Sequence, residues 1–457
     1  MTTAARGSGL DRALRLFADV RPGEGHLAVL LALNVFLILT TYYILKPVRE
    51  ALILGQGSPE LKTYLSVGQV LLLAVAVPYY GRLAARLSRR ALLNTVTYFF
   101  VACLGMFYVL GRTGVPIGIA YFLWIGVFNL MIVSQFWSFA NDLYSRDEGE
   151  RLFPIVGFGA SLGAVLGAVV AARLIRPFGV YELMLVGAAL LAAQLQVTNY
   201  VDRRSHSHPP PAPAPAPAKD GTPAAAPKPT NAFALVFRTP YLLLIAFMLL
   251  LNATVDATGE YILGSIVSDA AHARVDSGQA AGQTVEAVIG GFYSYYFALI
   301  NLTSLLLQLF VVSRVVTHLG VSTAVTILPA LSLVTYNVLA FVPGLWAVLG
   351  AKVGEKGTDY SLSNTVRNML FLPCTREEKY SAKQAIDSFF FRMGDVLSAA
   401  LVFAGTLTGL TASGFARVNV LLAAGFLTLA VLVGRAYAGR TATARQPAPL
   451  RKAEATS

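Results

Sequence analysis

The segment Val29–Gly55 reads VLLALNVFLILTTYYILKPVREALILG, apolar enough to cross a bilayer yet carrying Lys46, Arg49 and Glu50 toward its end. A second stretch, Leu345 to Pro373, holds Lys352, Glu355, Lys356, Asp359 and Arg367 between apolar runs. No other feature constrains the fold as tightly. A charge at the centre of a membrane helix costs roughly 2.5–3.5 kcal/mol on insertion scales, so such residues face a polar cavity or a partner. Several in one chain predict helices gathered around a water-accessible path through the membrane.

Composition agrees. Of 457 residues, 56% are hydrophobic and 13% charged, against about 25% charged in an ordinary soluble domain. Each crossing needs about 20 mostly apolar residues. Such stretches fall near 26–46, 61–80, 91–110, 117–140, 153–171, 180–197, 240–264, 290–312, 321–341, 345–372, 384–408 and 416–435. They predict an all-α integral membrane protein of about twelve transmembrane helices. The stretch 345–372 is the most polar.

The net charge of +12 is distributed by loop. Arg82, Arg86, Arg89 and Arg90 follow the second stretch, Arg146 and Arg151 the fourth, and Arg203, Arg204, Lys219, Lys228 and Arg238 lie between the sixth and seventh. Arg376, Lys379 and Lys383 follow the tenth. Alternate loops are poor in cations, Lys62 and Arg112 among them. This asymmetry predicts an inner-membrane protein with both termini cytoplasmic, and it assigns the basic balance to the bilayer rather than to nucleic acid. Cys103 and Cys374 are placed for neither an extracellular disulfide nor a metal, and no metal-ligand spacing or cofactor motif occurs. The polar, Arg-rich first twenty residues read as lacking a cleavable signal, with the first stretch serving as a signal-anchor.

The segment His206–Pro229, HSHPPPAPAPAPAKDGTPAAAPKP, has the composition of an extended linker. The domains expected are a cytoplasmic segment 1–25, a six-helix bundle 26–201, a linker 202–230, a second six-helix bundle 231–436 and a cytoplasmic tail 437–457. Ser145-Arg146-Asp147-Glu148 and Thr375-Arg376-Glu377-Glu378 occupy matched places after the fourth and tenth stretches. Arg49-Glu50-Ala51-Leu52-Ile53-Leu54-Gly55 likewise matches Gly259-Glu260-Tyr261-Ile262-Leu263-Gly264. A parallel 6+6 repeat resembles the major facilitator transporters, whose substrate sites lie between the halves.

Lys46, Arg49 and Glu50 stand at i, i+3 and i+4, one face of a helix. Arginine offers a bidentate fork and lysine a compact charge to an oxyanion, with Glu50 holding one of them in place; a purely structural Arg–Glu pair is the alternative. Lys352, Glu355, Lys356 and Asp359 share another face; mutual pairing, Lys352–Glu355 and Lys356–Asp359, is one reading of all four and an ion-pair gate the other. Arg367 and Arg392 are candidates for an anion, unless Asp395 neutralises Arg392 three residues away. Glu260 has only Asp256 near it in sequence, so burial favours its protonated form, and pairing with Lys46 or Arg49 is the alternative. The loops holding Arg146, Glu148, Arg376, Glu378 and Asp387 are candidate ion-pair gates or solvated turns. Gly157, Gly159, Gly163 and Gly167 have the spacing of close helix packing. The aromatic run 292–297 reads as an interfacial belt.

Three motifs carry a more specific resemblance. They are Lys46-Pro47-Val48-Arg49-Glu50-Ala51-Leu52, Gln135-Phe136-Trp137-Ser138-Phe139-Ala140-Asn141 with Leu152-Phe153-Pro154 and Gly157-Phe158-Gly159-Ala160 beyond it, and Asp359 through Pro373 continuing to Asp387, Arg392 and Gly394. They resemble, in order, the K-T-L-R-D-x-L, F-W-x-F-A-N and K-Y-S-L-F-D-P-T-K-E-M-A-Y-I-P motifs of the ATP/ADP translocase family. The resemblance implies a major facilitator-like carrier of nucleotides, with Lys46, Arg49, Glu50, Glu260, Arg367 and Arg392 at the substrate. The family's R-x-G-K-S has become Arg392-Met393-Gly394-Asp395, and the lysine of its E-x-x-W-K motif is absent after Glu260. Two cations that an adenine nucleotide's phosphates would meet are missing, which favours a smaller or less charged anion.

The sequence therefore predicts a secondary-active transporter of an anionic metabolite, ATP and ADP being the leading candidates. A proton-coupled carrier of another organic anion, and a non-transporting scaffold or receptor, are the alternatives. No nucleophile–base pair suggests an enzyme, and the oligomeric state is open.

Overall fold

The computed structural model describes residues 9–15, 18–207, 232–342, 344–375, 378 and 382–445, without the side chains of 13, 146, 205–207, 232 and 443–445. Most of the Pro/Ala linker and both chain ends lie outside the described residues. Among those described, the regular structure is entirely helical. A continuously apolar run of about 20 residues crosses a bilayer as a helix, which bonds each backbone N–H and C=O within the segment; the alternative, a closed barrel, uses shorter strands of alternating polarity.

A short α1 (Gly9–Leu14) precedes α2 (Gly25–Gly55), α3 (Pro59–Arg86), α4 (Arg89–Arg112), α5 (Gly118–Leu143), α6 (Arg146–Phe178) and α7 (Glu182–Ser207). Beyond the linker come α8 (Ala232–Arg238), α9 (Pro240–Asp276) and α10 (Val285–Leu307). A π-helical turn, Gln308–Val312, joins α10 to α11 (Ser313–Ala324), followed by α12 (Ile327–Phe341) and α13 (Leu345–Thr358). Another π turn, Asp359–Ser363, leads into α14 (Asn364–Met369). The described residues end with α15 (Lys383–Ala385), a π turn Ile386–Phe390, α16 (Phe391–Leu407) and α17 (Ala412–Arg445).

Local chemistry sets several boundaries. The Ser58 hydroxyl accepts from the Leu61 N–H, with Pro59 at the first helical position. Ser145 and Glu148 form a reciprocal capping box at the start of α6. Pro47 does not end α2, which runs on to Gly55.

All twelve expected stretches are helical, and ten helical stretches are long and apolar enough to span a membrane unaided. The two that fall short are α12, at 15 residues, and the 345–372 region, which π geometry divides. The eighth and ninth stretches are separated by one residue rather than a loop: Gly320 has φ +73°, a left-handed backbone that glycine adopts without strain.

Two compact units form. The first comprises residues 1–224 and 263–302, the second 225–262 and 303–457, so α9 contributes to both. In the first, Leu31, Ile38, Leu45 and Leu52 of α2 meet Phe100, Ile125, Phe136 and Ile175 in one core. A methyl group at Gly159, Gly163 or Gly167 of α6 would strike the carbonyls of Ala32, Phe36 or Thr40. Those three glycines therefore let α6 lie against the α2 backbone, whereas Gly157 has open space beside it. In the second unit, α9 packs through Leu242, Ile245 and Leu249 with Leu370, Ile386 and Phe426.

Candidate substrate site

In the first unit, the last turns of α2 carry three of the expected residues. Glu50 is 1% exposed and forms an ion pair with Arg49, whose Nε donates to Glu50 Oε1 at 3.0 Å. Its other oxygen meets Lys62 Nζ of α3 at 2.7 Å. Of the two cations expected beside Glu50, Arg49 is therefore the one it holds, and a third cation joins them. Each cation also faces a ring. Lys46 Nζ stands 4.1 Å from the centroid of Phe297 and 5.3 Å from Tyr43, Arg49 lies 5.2 Å from Phe122, and Lys62 lies 5.4 Å from Tyr293. Cations over ring faces gain most where water is excluded. Tyr293, Tyr296 and Phe297 are buried, with Tyr293 and Phe297 against these cations, so this part of the aromatic run does not form an interfacial belt.

The second unit holds a different cluster. Lys352 is fully buried, its Nζ 2.7 Å from Glu355 Oε2. Ser332 Oγ donates to Glu355 Oε1 at 2.7 Å, and Tyr336 Oη lies 3.2 Å from Glu355 Oε2. The carboxylate is thus bonded on both oxygens, the condition for a buried ion pair to be tolerated. Lys356 does not pair with Asp359 as its spacing suggests. Its Nζ sits 2.6 Å from Asp256 Oδ2 and 3.7 Å from Glu260 Oε1, both on α9. Glu260 thus has a cation, Lys356, that its own segment does not reveal. Asp359 opens the π turn that follows α13.

The remaining candidates separate. Arg367 Nη2 donates to Asn364 Oδ1 at 3.2 Å, and its guanidinium lies 6.0 Å from the Phe391 ring. Arg392 and Asp395 form the i,i+3 pair considered above, at 3.4 Å. Glu148 caps its own helix, accepting from the Ser145 N–H at 2.8 Å. Glu378 accepts from the Thr375 N–H at 2.8 Å and pairs with Arg440 at 3.3 Å. Burial pushes its carboxyl up, but the Thr375 N–H and Arg440 outweigh this and hold it below its ordinary range. Asp387 sits in the π turn before α16. The Arg146 side chain and Arg376 lie outside the described residues.

Residues 31–372 match the Major Facilitator Superfamily. The chain belongs to that superfamily. Its fold is accordingly that of a multi-pass membrane protein of the major facilitator type. Among curated proteins, ADP,ATP carrier protein 1 of Chlamydia pneumoniae is 22% identical over 322 residues, 62% of this chain and 60% of the carrier. Its namesake in Chlamydia muridarum (strain MoPn / Nigg) is 24% identical over 326 residues, 62% of this chain and 58% of the carrier. The alignments thus reach about three fifths of these relatives' length. This likeness accords with the resemblance carried by the three motifs.

Solved structures share the superfamily fold. A point mutant of the nucleoside transporter NupG superposes with a TM-score of 0.59 at 16% identity, covering 91% of this chain and 99% of NupG. A bacterial homologue of the iron transporter ferroportin, inward-facing, reaches 0.60 at 15% identity, covering 90% and 98%. A D-xylose–proton symporter reaches 0.58 at 10%, covering 90% and 96%. At such identities the likeness is one of fold, not of substrate.

Sequence reasoning missed Lys62, Asp256, Ser332 and Tyr336 as members of these clusters. Lys62 reads as a loop charge, yet it sits one turn into α3, 7% exposed. The signal was available in Ser58-Pro59, which starts a helix before Lys62 rather than after it.

Proposed function

We propose that this transporter carries an anionic metabolite by alternating access, with nucleotide exchange as the leading reading. The observation that supports it is the first-unit cluster, where Arg49 and Lys62 pair with Glu50 and both, like Lys46, lie over aromatic rings. Lysine and arginine together suit phosphate oxygens, and ring faces suit a flat base. The ADP,ATP carriers named above favour the same substrate class. Glu260, Arg367 and Arg392 belong to the proposal through their family motifs, and the ion-paired residues of the second unit through a role in gating. We read the chain as two six-helix halves, 26–201 and 231–436, joined by a cytoplasmic linker in an inner membrane. A reporter fused within 208–229 should then register cytoplasm.

The test is uptake of labelled nucleotides and smaller phosphates into proteoliposomes, with and without internal nucleotide. Uptake that requires internal nucleotide supports exchange, and indifference to every phosphorylated compound rejects the anion reading. A second reading, proton-coupled transport of another organic anion, draws on the surplus of acids around Lys356 in the second unit, where Asp256 and Glu260 both approach it. Uptake driven by an imposed pH gradient without internal substrate would favour it.

A further inference from the structure

The motif Gln135–Asn141 contributes nothing to the charged clusters, but its first residue borders a cavity inside the first unit. Asn34 of α2, Thr97 of α4, Gln135 of α5, and Gln194 and Thr198 of α7 line it, with Phe136 and Phe139 among the apolar walls. All five polar residues are more than nine-tenths buried. Three of them satisfy one another. Asn34 Nδ2 donates to Thr198 Oγ1 at 2.6 Å, and Gln194 Nε2 donates to Asn34 Oδ1 and to Thr198 Oγ1, each at 2.8 Å. Two atoms stay outside this network. Gln135 Nε2 and Gln194 Oε1 are buried and have no hydrogen-bond partner among the described residues.

A free amide donor and a free amide acceptor thus border one cavity. Leaving either unbonded in an apolar bundle is costly, and native structures avoid it. The cavity measures about 10 Å³, close to the roughly 10–15 Å³ that one water requires. No charged side chain lines it, so the chemistry does not suit an ion. We propose that it is a resident-water site, in which one water accepts from Gln135 Nε2 and donates to Gln194 Oε1. That water ties α5 to the α2–α7 pair and gives Gln135 a structural task that a residue of another shape could not fill.

The wild-type protein in detergent tests this through hydroxyl-radical footprinting, since radicals formed from a bound water label the side chains beside it. Phe136 and Phe139 should label well above Phe100 and Phe128, which are just as buried in the same unit but do not line the cavity. Equal labelling of the four would overturn the site. A second measurement reads a sign. Gln135→Met keeps length but removes the amide, so with the water present Tm should fall. If the cavity is dry, the substitution removes an unbonded donor, and a Tm that holds or rises rejects the proposal.

Discussion

Lys62 places its Nζ 2.7 Å from Glu50 Oε2, joining the first turn of α3 to the last turns of α2. The other carboxylate oxygen already holds Arg49, so one buried acid serves two cations from two helices. Removing one partner of a buried pair costs more than the pair contributes, because the remaining charge is stranded. Lys62→Met leaves Glu50 with Arg49 alone, so it should destabilise the protein, but by less than the roughly 3–5 kcal/mol that stranding a buried charge outright costs. Glu50→Gln should cost less in that variant than in the wild type, because one of the two cations it serves is already gone. A thermal-unfolding cycle in which the two changes simply add, within about 0.5 kcal/mol, would show that they do not interact.

Lys46 and Arg49 face rings rather than lipid, and the proposed function gives them the anion. Lys46→Ala and Arg49→Ala should each lower uptake about ten-fold or more, as the loss of a charged hydrogen bond of roughly 1.5–3 kcal/mol implies. Membrane insertion should be intact, since each change removes a costly charge. Normal uptake in both variants would end the binding role. Failure of both to reach the membrane would mark the charges as structural.

The Arg392–Asp395 pair bears on specificity. Asp395 stands where the resembling family has a lysine, and its 3.4 Å contact draws on the Arg392 charge. ATP should bind more weakly than a nucleoside monophosphate, and Asp395→Lys should move the preference toward ATP. Competition assays against a labelled monophosphate measure both. Tight ATP binding that Asp395→Lys leaves unchanged or weakens would overturn the charge argument.

Lys352 and Lys356, one helical turn apart, should respond differently to loss of charge. Lys352→Met strands Glu355, which is 4% exposed, and should cost about 3–5 kcal/mol. Lys356→Met leaves Asp256 and Glu260, whose side chains are 28% and 24% exposed, and should cost less. Thermal unfolding of the two variants ranks them, and the reverse order would contradict this division of roles.

Outside the membrane spans, Glu24 binds Arg151 through both its oxygens, at 2.8 and 2.9 Å. The Arg151 hydrogen bonds hold its carboxyl below the ordinary value of 4.5. A depressed folded value means that the stabilisation is complete above the unfolded value and is lost as pH falls through the folded one. Proteolysis of the segment before α2 should therefore rise only below about pH 4.5. Glu24→Gln should remove that step; a step unchanged in the variant would assign it to another acid.

Some of the charged clusters could be read from the chain and some could not. Lys352–Glu355 and Arg392–Asp395 are i,i+3 pairs, so helical periodicity alone brings them together. The Ser145–Glu148 cap is equally local. Lys356 is the instructive failure. Its spacing to Asp359 satisfies the same rule, yet Asp359 begins a π turn and Lys356 pairs with α9.

Sequence alone determined the class of molecule. Apolar runs of bilayer length leave the backbone no stable form but helix, and residues 31–372 bear the superfamily pattern. It also determined where α6 can approach α2 closely, since only glycine leaves that space. The tertiary structure decided which charges share a site. Lys62 with Glu50, Lys356 with Asp256 and Glu260, and Lys46 with Phe297 join residues that periodicity cannot relate. Those contacts follow from how separate helices rotate and slide against one another. In an apolar bundle, that arrangement is selected by packing and by the need to leave no buried charge alone.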